Sequence, residues 1–445
     1  MADHAVQYWL KAGQQALGLS GMTEAAALLG KGLGLISAVP DSKQRQEQEL
    51  DLQIALGQAM IAMHGYTASA VSQAYERARA LCEQLECTHK LLPILYGQWA
   101  HHSVSDLGQA RKLADEIRDF GAMQDDSVAR VMGCRASGLT HLLVGDFAVA
   151  RSYLDQGLAL YDAAERASYA SIYATTDPLI FFRSYLSLAL VCCGHLGQAR
   201  SCSDSALTYA RSLSHAHSLG FALHWTWVAH RCAGLAPTAL LSQADELMVL
   251  SDERSFMMWR ALARAFRGWC LTALGQPDQG IAQMTAGLTE VQANGKLHVP
   301  HVLTLLGDAH RMAGQPRVAL AYVAEAEQLA EATQSKWLQA ETLRLRGELL
   351  VIVGDSAGAE ASLLKAITLA QRQGAKLFEL RASTSLARLL HEQGRQKEAG
   401  ELLTPISGWF NDGFDAPDLT GSKALLAAID SRLGCRRAAP SSWDS

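Results

Sequence analysis

Hydrophobic and polar positions alternate with helical spacing along nearly the whole chain. In a representative stretch, Leu343 to Gly374, this pattern predicts two amphipathic helices that are separated by a turn at Gly354. A small residue, Gly347, lies seven positions before that glycine, and Ala359 lies five positions after it. Because the same order of residues recurs along the chain, we expect a series of helix pairs.

The turn glycines occur at a nearly constant interval. Their successive spacings are 49, 40, 41, 39, 40 and 40 residues, at Gly145, Gly194, Gly234, Gly275, Gly314, Gly354 and Gly394. A fixed period of this kind is typical of a repeat solenoid. The one longer interval contains Ser168 to Asp177, a segment rich in Ser, Thr and Tyr. We expect a longer loop or a short extra helix there, so the array is loosest at 166–178.

Small residues occupy the positions at which the two helices of a pair should touch. Five small residues lie seven positions before a turn glycine: Gly138, Gly268, Gly307, Gly347 and Ala387. Alanine stands five positions after most turn glycines and twelve positions after several, and these two positions share one helical face. We therefore expect close approach of the paired helices, although Gly280, Gly287 and Glu246 replace the expected alanine in three places.

This order of small residue, turn glycine and two alanines resembles the tetratricopeptide repeat. The resemblance implies an all-α fold, an α-α superhelix of about ten helix pairs that covers residues 1–410. A loop and a C-terminal capping helix should follow at 411–433, with the helix at about Leu419 to Leu433, and a disordered tail at 434–445. The period near 40 exceeds the usual repeat length of about 34, which implies longer helices.

Composition excludes several other classes of protein. At 445 residues, with 49% hydrophobic and 19% charged positions, the chain is longer than one compact core usually serves, whereas a repeat array has no such limit. A net charge of −5 without a basic cluster argues against nucleic acid as a partner. The longest apolar run, Tyr185 to Cys193, is far shorter than the roughly 20 residues that span a bilayer. No signal peptide is evident, so we expect a cytoplasmic protein that does not enter the membrane.

Polar residues recur on the face that should line the concave groove. In a tetratricopeptide-like superhelix, the resemblance implies that residues three before, one after and four after the small position point into that groove. The candidates around these offsets are Arg135, His224, Arg231, His301, Asp308, Arg311, Arg344, Glu348, Arg388 and His391. They form either a solvated groove wall or a specific binding site, and the sequence leaves both interpretations open.

Tryptophans and histidines suggest a second kind of site. Trp225 and Trp227 lie on opposite sides of one helix, so we expect at least one of them in the core and the other at a groove. With Trp259 and Trp269 they are the candidates for an aromatic pocket.

The nearby histidines lack acidic or cysteine partners at the spacing of a metal site, and no C-x-x-C pair occurs among the nine cysteines. We therefore expect no metal and no cofactor.

The two ends of the sequence carry a narrower resemblance. The segments YWLKAGQQALGLSGMTEAAALLGKGLGLI (8–36) and ISGWFNDGFDAPDLTGSKALLAAI (406–429) resemble the borders of the C-terminal repeat region of certain large bacterial regulators. Those regulators join a class III adenylate/guanylate cyclase domain to a STAND-type signal-transduction ATPase and then to helical repeats. Only the repeat region is matched, and neither the cyclase metal-binding motif nor a G-x-x-x-x-G-K-[ST] loop occurs. We therefore expect a protein without enzymatic activity.

The resemblance and the repeat pattern leave two functions open. The first is a protein–protein interaction module of a signalling system that binds a partner peptide or protein in its concave groove, with a signalling ATPase or cyclase as one candidate partner. The second is a small-molecule effector domain of a cyclase- or ATPase-type regulator, in which the four tryptophans would form the ligand pocket.

Overall fold

The chain folds as a continuous series of helix pairs. The computed structural model describes residues 2–19, 21–64, 69–172, 176–293, 297–413 and 415–437. In this part of the chain, ten pairs follow one another, with one single helix inside the series and one at its end. In order these are α1 (Ala2–Gly18) with α2 (Met22–Ile36), α3 (Lys43–His64) with α4 (Ser69–Leu85), α5 (Leu91–His102) with α6 (Leu107–Met123), α7 (Ser127–Val144) with α8 (Phe147–Leu160), the single helix α9 (Arg166–Ile172), α10 (Pro178–Cys192) with α11 (Leu196–Ser212), α12 (Ala216–Cys232) with α13 (Pro237–Arg254), α14 (Met257–Ala273) with α15 (Pro277–Ala293), α16 (Val299–Met312) with α17 (Pro316–Thr333), α18 (Gln339–Ile352) with α19 (Ser356–Gln373), α20 (Lys376–Glu392) with α21 (Gln396–Ser407), and the final helix α22 (Pro417–Arg437).

The prediction of an all-α array of about ten pairs with a C-terminal helix is confirmed. Two short 3-10 helices, Thr88–Lys90 and Ala163–Glu165, complete the regular structure of the described residues. We number the pairs one to ten in chain order. No described helix is both long enough and apolar enough to cross a membrane.

The periodic glycines form the turns inside pairs four to ten. All seven have positive φ angles, from 70° at Gly314 to 90° at Gly145. Glycine occupies this left-handed region without the steric cost of a Cβ atom, which explains its use at the end of each first helix. Near the representative turn, the Asp355 side chain accepts a hydrogen bond from the Gly358 backbone N–H and caps the second helix.

The paired helices approach each other closely at the predicted small positions. A Cβ atom on Gly347 would lie 2.5 Å from Leu363 Cγ on the second helix of the same pair. In pair seven the contact is between backbones, because a Cβ atom on Gly268 would lie 2.5 Å from the Gly280 carbonyl oxygen. This contact accounts for Gly280 at a position where alanine was expected, since even a methyl group would overlap the facing helix.

The loose segment contains a short extra helix. Helix α9 covers the first part of it, and the Tyr169 ring stacks on Tyr161 at 5.5 Å between ring centroids. The Gln58 Nε2 atom of pair two donates to the Ile172 carbonyl at 2.9 Å, so α9 packs on an earlier part of the array. Of the two alternatives for this segment, the short helix is therefore correct up to Ile172, and residues 173–175 lie outside the described part.

The array curls until its later pairs contact its earlier ones. The turn of pair four meets the connection between pairs eight and nine, where Lys336 N–H donates to the Leu143 carbonyl at 2.8 Å. The turn of pair five packs on the segment after pair ten, where the Gly197 N–H donates to Asp412 Oδ2 at 3.2 Å. At pair six, the Cys232 carbonyl accepts a 2.6 Å hydrogen bond from the guanidinium of Arg381 in pair ten. We call this set of contacts the closure.

The final helix is longer than predicted at both ends. Helix α22 begins at Pro417 and continues to Arg437, so residues 434–437 are helical rather than part of a disordered tail. The remaining tail, 438–445, lies outside the described residues.

The contact between Gly268 and Gly280 generates a stability prediction. We expect Gly280→Ala to lower the free energy of unfolding by about 1–3 kcal/mol through overpacking. The matched control is Gly34→Ala in α2, where a Cβ atom would meet nothing within 4 Å. That change should raise stability by up to about 1 kcal/mol, because alanine favours the helix. Urea denaturation followed by circular dichroism measures both, and equal stability of the two variants would contradict the packing argument.

Candidate functional site

A charged cavity lies on the inner face of the curled array. It has a volume of about 300 Å³, and residues of the first helices of pairs six to ten and of α22 line it. Five arginines line it, Arg231, Arg311, Arg344, Arg381 and Arg388. Four carboxylates line it as well, Asp308, Glu341, Glu348 and Asp418. We call this space the inner cavity.

Asp308 joins three helices on one side of the inner cavity. Its carboxylate accepts hydrogen bonds from Arg231 Nη2 at 3.2 Å, Arg311 Nη2 at 2.8 Å and Trp269 Nε1 at 2.9 Å. The Arg231 guanidinium also lies over the Trp269 ring, 4.5 Å from its centroid. Burial by itself would raise the pKa of Asp308, but the two arginines and the hydrogen bonds bring this pKa down to about 2.

Glu341 is the central carboxylate of the ion pairs on the other side of the inner cavity, as Asp308 is on the first side. Arg344 of the same helix contacts it through Nη2 at 2.9 Å and also reaches Glu348 at 2.5 Å. Arg381 of pair ten approaches Glu341 at 3.6 Å and Asp418 of α22 at 2.8 Å. Burial opposes the charged form of Glu341, yet Arg344 and Arg381 lower its pKa to about 2. The same carboxylates raise the pKa of Arg344 and of Arg381, so all of these groups stay ionised.

Arg388 differs from the other four arginines of the inner cavity. Its side chain is exposed at the rim, and no ion pair or hydrogen bond joins it to another described residue. The other arginines share the four carboxylates among themselves. With five arginines and four carboxylates, the side chains that line the inner cavity carry one net positive charge, and Arg388 is the arginine that pairs with no described carboxylate.

A second, less polar space adjoins the inner cavity at this rim. It has a volume of about 250 Å³, and Val351, Ile352, Leu363 and Leu389 form its apolar walls. Ile352 is 55% exposed, so the wall of this space presents an apolar side chain to solvent. Four residues line both spaces: Arg311, Glu348, Ser385 and Arg388. We call this second space the apolar hollow.

The structure brings most of the predicted groove residues together. Six of the ten line the inner cavity: Arg231, Asp308, Arg311, Arg344, Glu348 and Arg388. His391 is half-buried on the same helix as Arg388 but does not line the cavity. The sequence analysis missed Glu341, Arg381 and Asp418. Glu341 and Arg381 lie 40 residues apart, each six positions before a small residue, so the repeat register contained a signal for them.

Arg135 is not a groove residue, which corrects one prediction. Only 1% of it is exposed, and its guanidinium lies 4.1 Å from the Phe181 ring centroid and 5.7 Å from that of Tyr96. Its Nη1 atom donates to the Thr176 carbonyl at 3.1 Å. Aromatic faces and a carbonyl oxygen therefore replace water around this charge, which allows it to lie in the core.

His224 and His301 are also core residues rather than groove residues. The His224 ring stacks on Phe266 at 5.2 Å between centroids and meets the His298 ring edge-on at 4.9 Å. The His301 ring lies 5.5 Å from that of Trp337. Burial lowers the pKa of both histidines well below the usual value, and neighbouring positive or ionisable groups add to this shift. Both rings are therefore neutral at pH 7, and neutral imidazole tolerates an aromatic core.

The four candidate tryptophans do not surround one pocket. Trp225 and Trp227 are both buried, and the Trp227 ring lies parallel to Phe266 at 3.9 Å with its Nε1 donating to the Leu240 carbonyl. The prediction that one of these two reaches the groove is therefore wrong. Trp259 is half-buried, and its ring centroid lies 5.1 Å from that of His224, whereas Trp269 lines the inner cavity.

Across the described part of the chain, no group of three or more His, Cys, Asp or Glu side chains has a metal-binding arrangement.

Comparison with known proteins supports the fold. No family profile and no curated protein matches the chain. A solved Rap protein in complex with Competence and Sporulation Factor aligns with a TM-score of 0.59 and 13% identity, over 83% of this chain and 98% of that chain. NprR in complex with its cognate peptide NprX aligns with a TM-score of 0.55 and 14% identity, over 82% and 99%. At these identities the likeness shows the fold alone, and the expected tetratricopeptide-like helical solenoid is confirmed.

A third similar structure is weaker. A STAND protein with a tetratricopeptide repeat sensor from Pyrococcus horikoshii aligns with a TM-score of 0.42 and 11% identity, over 87% of this chain and 54% of that chain. This TM-score is too low to carry an argument about the regulator family.

The charge pairs of the inner cavity predict a dependence of stability on pH. The folded pKa of Glu341, about 2, lies below the value of about 4.3 for an unperturbed glutamate. The ion pairs of Glu341 therefore make their full contribution to the free energy of unfolding above about pH 4.3. This contribution is lost as the pH falls toward 2. We expect Glu341→Gln to lower the free energy of unfolding at pH 7 by about 2–4 kcal/mol, because it leaves two buried arginines short of a carboxylate.

Urea denaturation at several pH values measures this effect. The difference between wild type and Glu341→Gln should be constant from pH 7 to about pH 4.5 and then shrink at lower pH. Glu325→Gln, at an exposed position of α17, is the control and should match wild type throughout. A difference that does not narrow in acid would refute the assignment of the low pKa to Glu341.

Proposed function

We propose that this chain is a non-catalytic binding module that holds a peptide segment of a partner on the inner face of its curled helical array. The observation that carries the proposal is the inner cavity with the apolar hollow beside it, both lined mainly by first helices of the later pairs. A peptide presents polar backbone groups together with both polar and apolar side chains. It therefore suits a surface on which a charged wall adjoins an apolar one. Paired charges of fixed orientation also favour a specific ligand over a nonspecific one.

The structural comparison supports this choice of ligand. The NprR structure that shares this fold contains a cognate peptide, and the Rap structure contains Competence and Sporulation Factor. The lining of the inner cavity adds a physical argument, because a segment bound there would contact the first helices of several pairs at once. A ligand buried in this way loses more water than one on an open surface, which strengthens its polar contacts.

The alternative of a small-molecule effector pocket has less support. That alternative was built on the four tryptophans, and two of them, Trp225 and Trp227, lie inside the core. Small-molecule sites are mostly apolar with few polar groups. The inner cavity has nine charged side chains around about 300 Å³ and does not fit that description.

The wider system is part of the proposal. The end segments 8–36 and 406–429 resemble the borders of repeat regions in bacterial cyclase–ATPase regulators, so we propose that the module serves a signalling system of this type in the cytoplasm. A signalling ATPase or cyclase, in the same chain or in another one, would then respond to occupancy of the inner face.

Selection of peptides by the full chain tests the proposed function. A random phage-displayed peptide library is panned on immobilised wild-type protein, and synthetic versions of enriched peptides are titrated by fluorescence anisotropy. Thr384, which lines the inner cavity, is changed to Trp to fill it, and Thr289→Trp on the exposed side of α15 is the matched control. We expect Thr384→Trp to weaken binding by at least about tenfold, since it replaces ligand volume, and Thr289→Trp to leave it unchanged.

Two outcomes would contradict the proposal. One is a library that yields no peptide with saturable binding to the wild type. The other is Thr384→Trp binding the selected peptides as tightly as the wild type, while circular dichroism shows that both variants are folded.

A further inference from the structure

The arginines around the inner cavity are not equally neutralised. Arg344 and Arg381 carry two positive charges, and they pair with the three negative charges of Glu341, Glu348 and Asp418, so no positive charge is left over in that group. On the opposite side, Asp308 alone serves both Arg231 and Arg311. The positive charge that remains is therefore concentrated toward Arg311 and Arg388.

Among the described residues, Arg388 has no ion-pair partner that would neutralise it. Ser385, three residues earlier on α20, gives its hydroxyl hydrogen to Glu348 Oε1 at 2.8 Å, so Glu348 is occupied by Ser385 and Arg344. Glu392, one helical turn after Arg388, lines the apolar hollow, and no ion pair joins it to Arg388 within the described residues. The guanidinium of Arg388 thus keeps its donors available at the rim.

The positions of Arg311 and Arg388 indicate which chemical groups of a ligand would lie next to each other. Arg311 and Arg388 line both the inner cavity and the apolar hollow, so they stand where the charged space meets the apolar one. Val351, Ile352 and Leu389 line the apolar hollow together with them. A group bound by the arginines would therefore have an apolar side chain close to it.

We propose that Arg388, assisted by Arg311, binds a carboxylate of the ligand, and that the apolar hollow holds the apolar side chain next to this carboxylate. Guanidinium and carboxylate form charge-assisted, bidentate hydrogen bonds, which are the strongest that uncommitted arginine donors can make. The carboxylate belongs either to the C-terminus of a peptide or to an aspartate or glutamate side chain within it. This inference rests on the proposed peptide-binding function and names the chemistry that the same site recognises.

Small probes test the inference without a known peptide. N-acetyl-leucine has a carboxylate beside an apolar side chain, N-acetyl-leucinamide lacks the carboxylate, and N-acetyl-glycine lacks the side chain. Each is titrated into the full chain at constant ionic strength, and the rise in melting temperature gives the dissociation constant, because a ligand of the folded state stabilises it. We expect binding in the order N-acetyl-leucine, then N-acetyl-glycine, with none for N-acetyl-leucinamide.

Variants assign the carboxylate to Arg388. Arg388→Gln should weaken N-acetyl-leucine binding by at least about tenfold, as expected for loss of a charge-assisted pair. Arg254→Gln, at an exposed position at the end of α13, is the matched control and should bind as the wild type does. Because Arg388 is exposed and forms no ion pair with another residue of the described part, its replacement should leave the melting temperature without ligand unchanged.

The source of the carboxylate is decided by one further probe. N-acetyl-leucyl-glutamate with an amidated α-carboxyl offers only a side-chain carboxylate. Its binding would assign a glutamate or aspartate inside the peptide, whereas binding of N-acetyl-leucine alone would assign the C-terminus, and both results support the inference.

Three results would overturn the inference: equal binding of N-acetyl-leucine and its amide, unchanged binding by Arg388→Gln, or no stabilisation of the wild type by any carboxylate probe. The proposed function fails separately, when panning yields no peptide. Peptides that bind the wild type and Arg388→Gln equally would leave the function intact and remove only the carboxylate site.

Discussion

The close contact between the two helices of each pair is the constraint on which the rest of the structure depends. Where Gly268 faces Gly280 and Gly347 faces Leu363, the second helix lies against the first with no room for an added side chain. This contact sets the angle and distance within a pair, and repetition of similar pairs turns small rotations into a curve. After about five pairs the curve brings the chain back to itself.

The closure explains why the inner face is both enclosed and charged. Arg381 connects three distant parts of the molecule, since it donates to the Cys232 carbonyl of pair six, pairs with Asp418 of the final helix and approaches Glu341 of pair nine. Buried ion pairs add little net stability, because the cost of removing charges from water offsets their attraction. They do orient one another, so the inner cavity has a fixed arrangement of charges. Arg388 stands apart from this arrangement and can meet a ligand without breaking an existing pair.

The wrongly placed residues show where helical offsets stop being informative. Arg135, His224 and His301 sit on first helices, as the groove residues do, yet they are inside the core. Most positions of α7, α12 and α16 are buried because these helices touch their own partner and both neighbouring pairs. When a helix is surrounded on nearly every side, polar and apolar positions no longer mark an outer and an inner face. A polar residue there is accommodated by aromatic rings or by loss of its proton instead.

The sequence alone determined the repeat: its turn glycines, its small contact positions, its number of pairs and six of the charged residues on the inner face. These features are local, because a positive φ angle or a close helix contact limits the residue type at one position. Tertiary structure decided that the array closes on itself, that Glu341 and Asp418 complete the charge pairs, and that none of the described residues pairs with Arg388. Those outcomes depend on small rotations summed over several pairs and on distances between residues far apart in the chain, which no local pattern records.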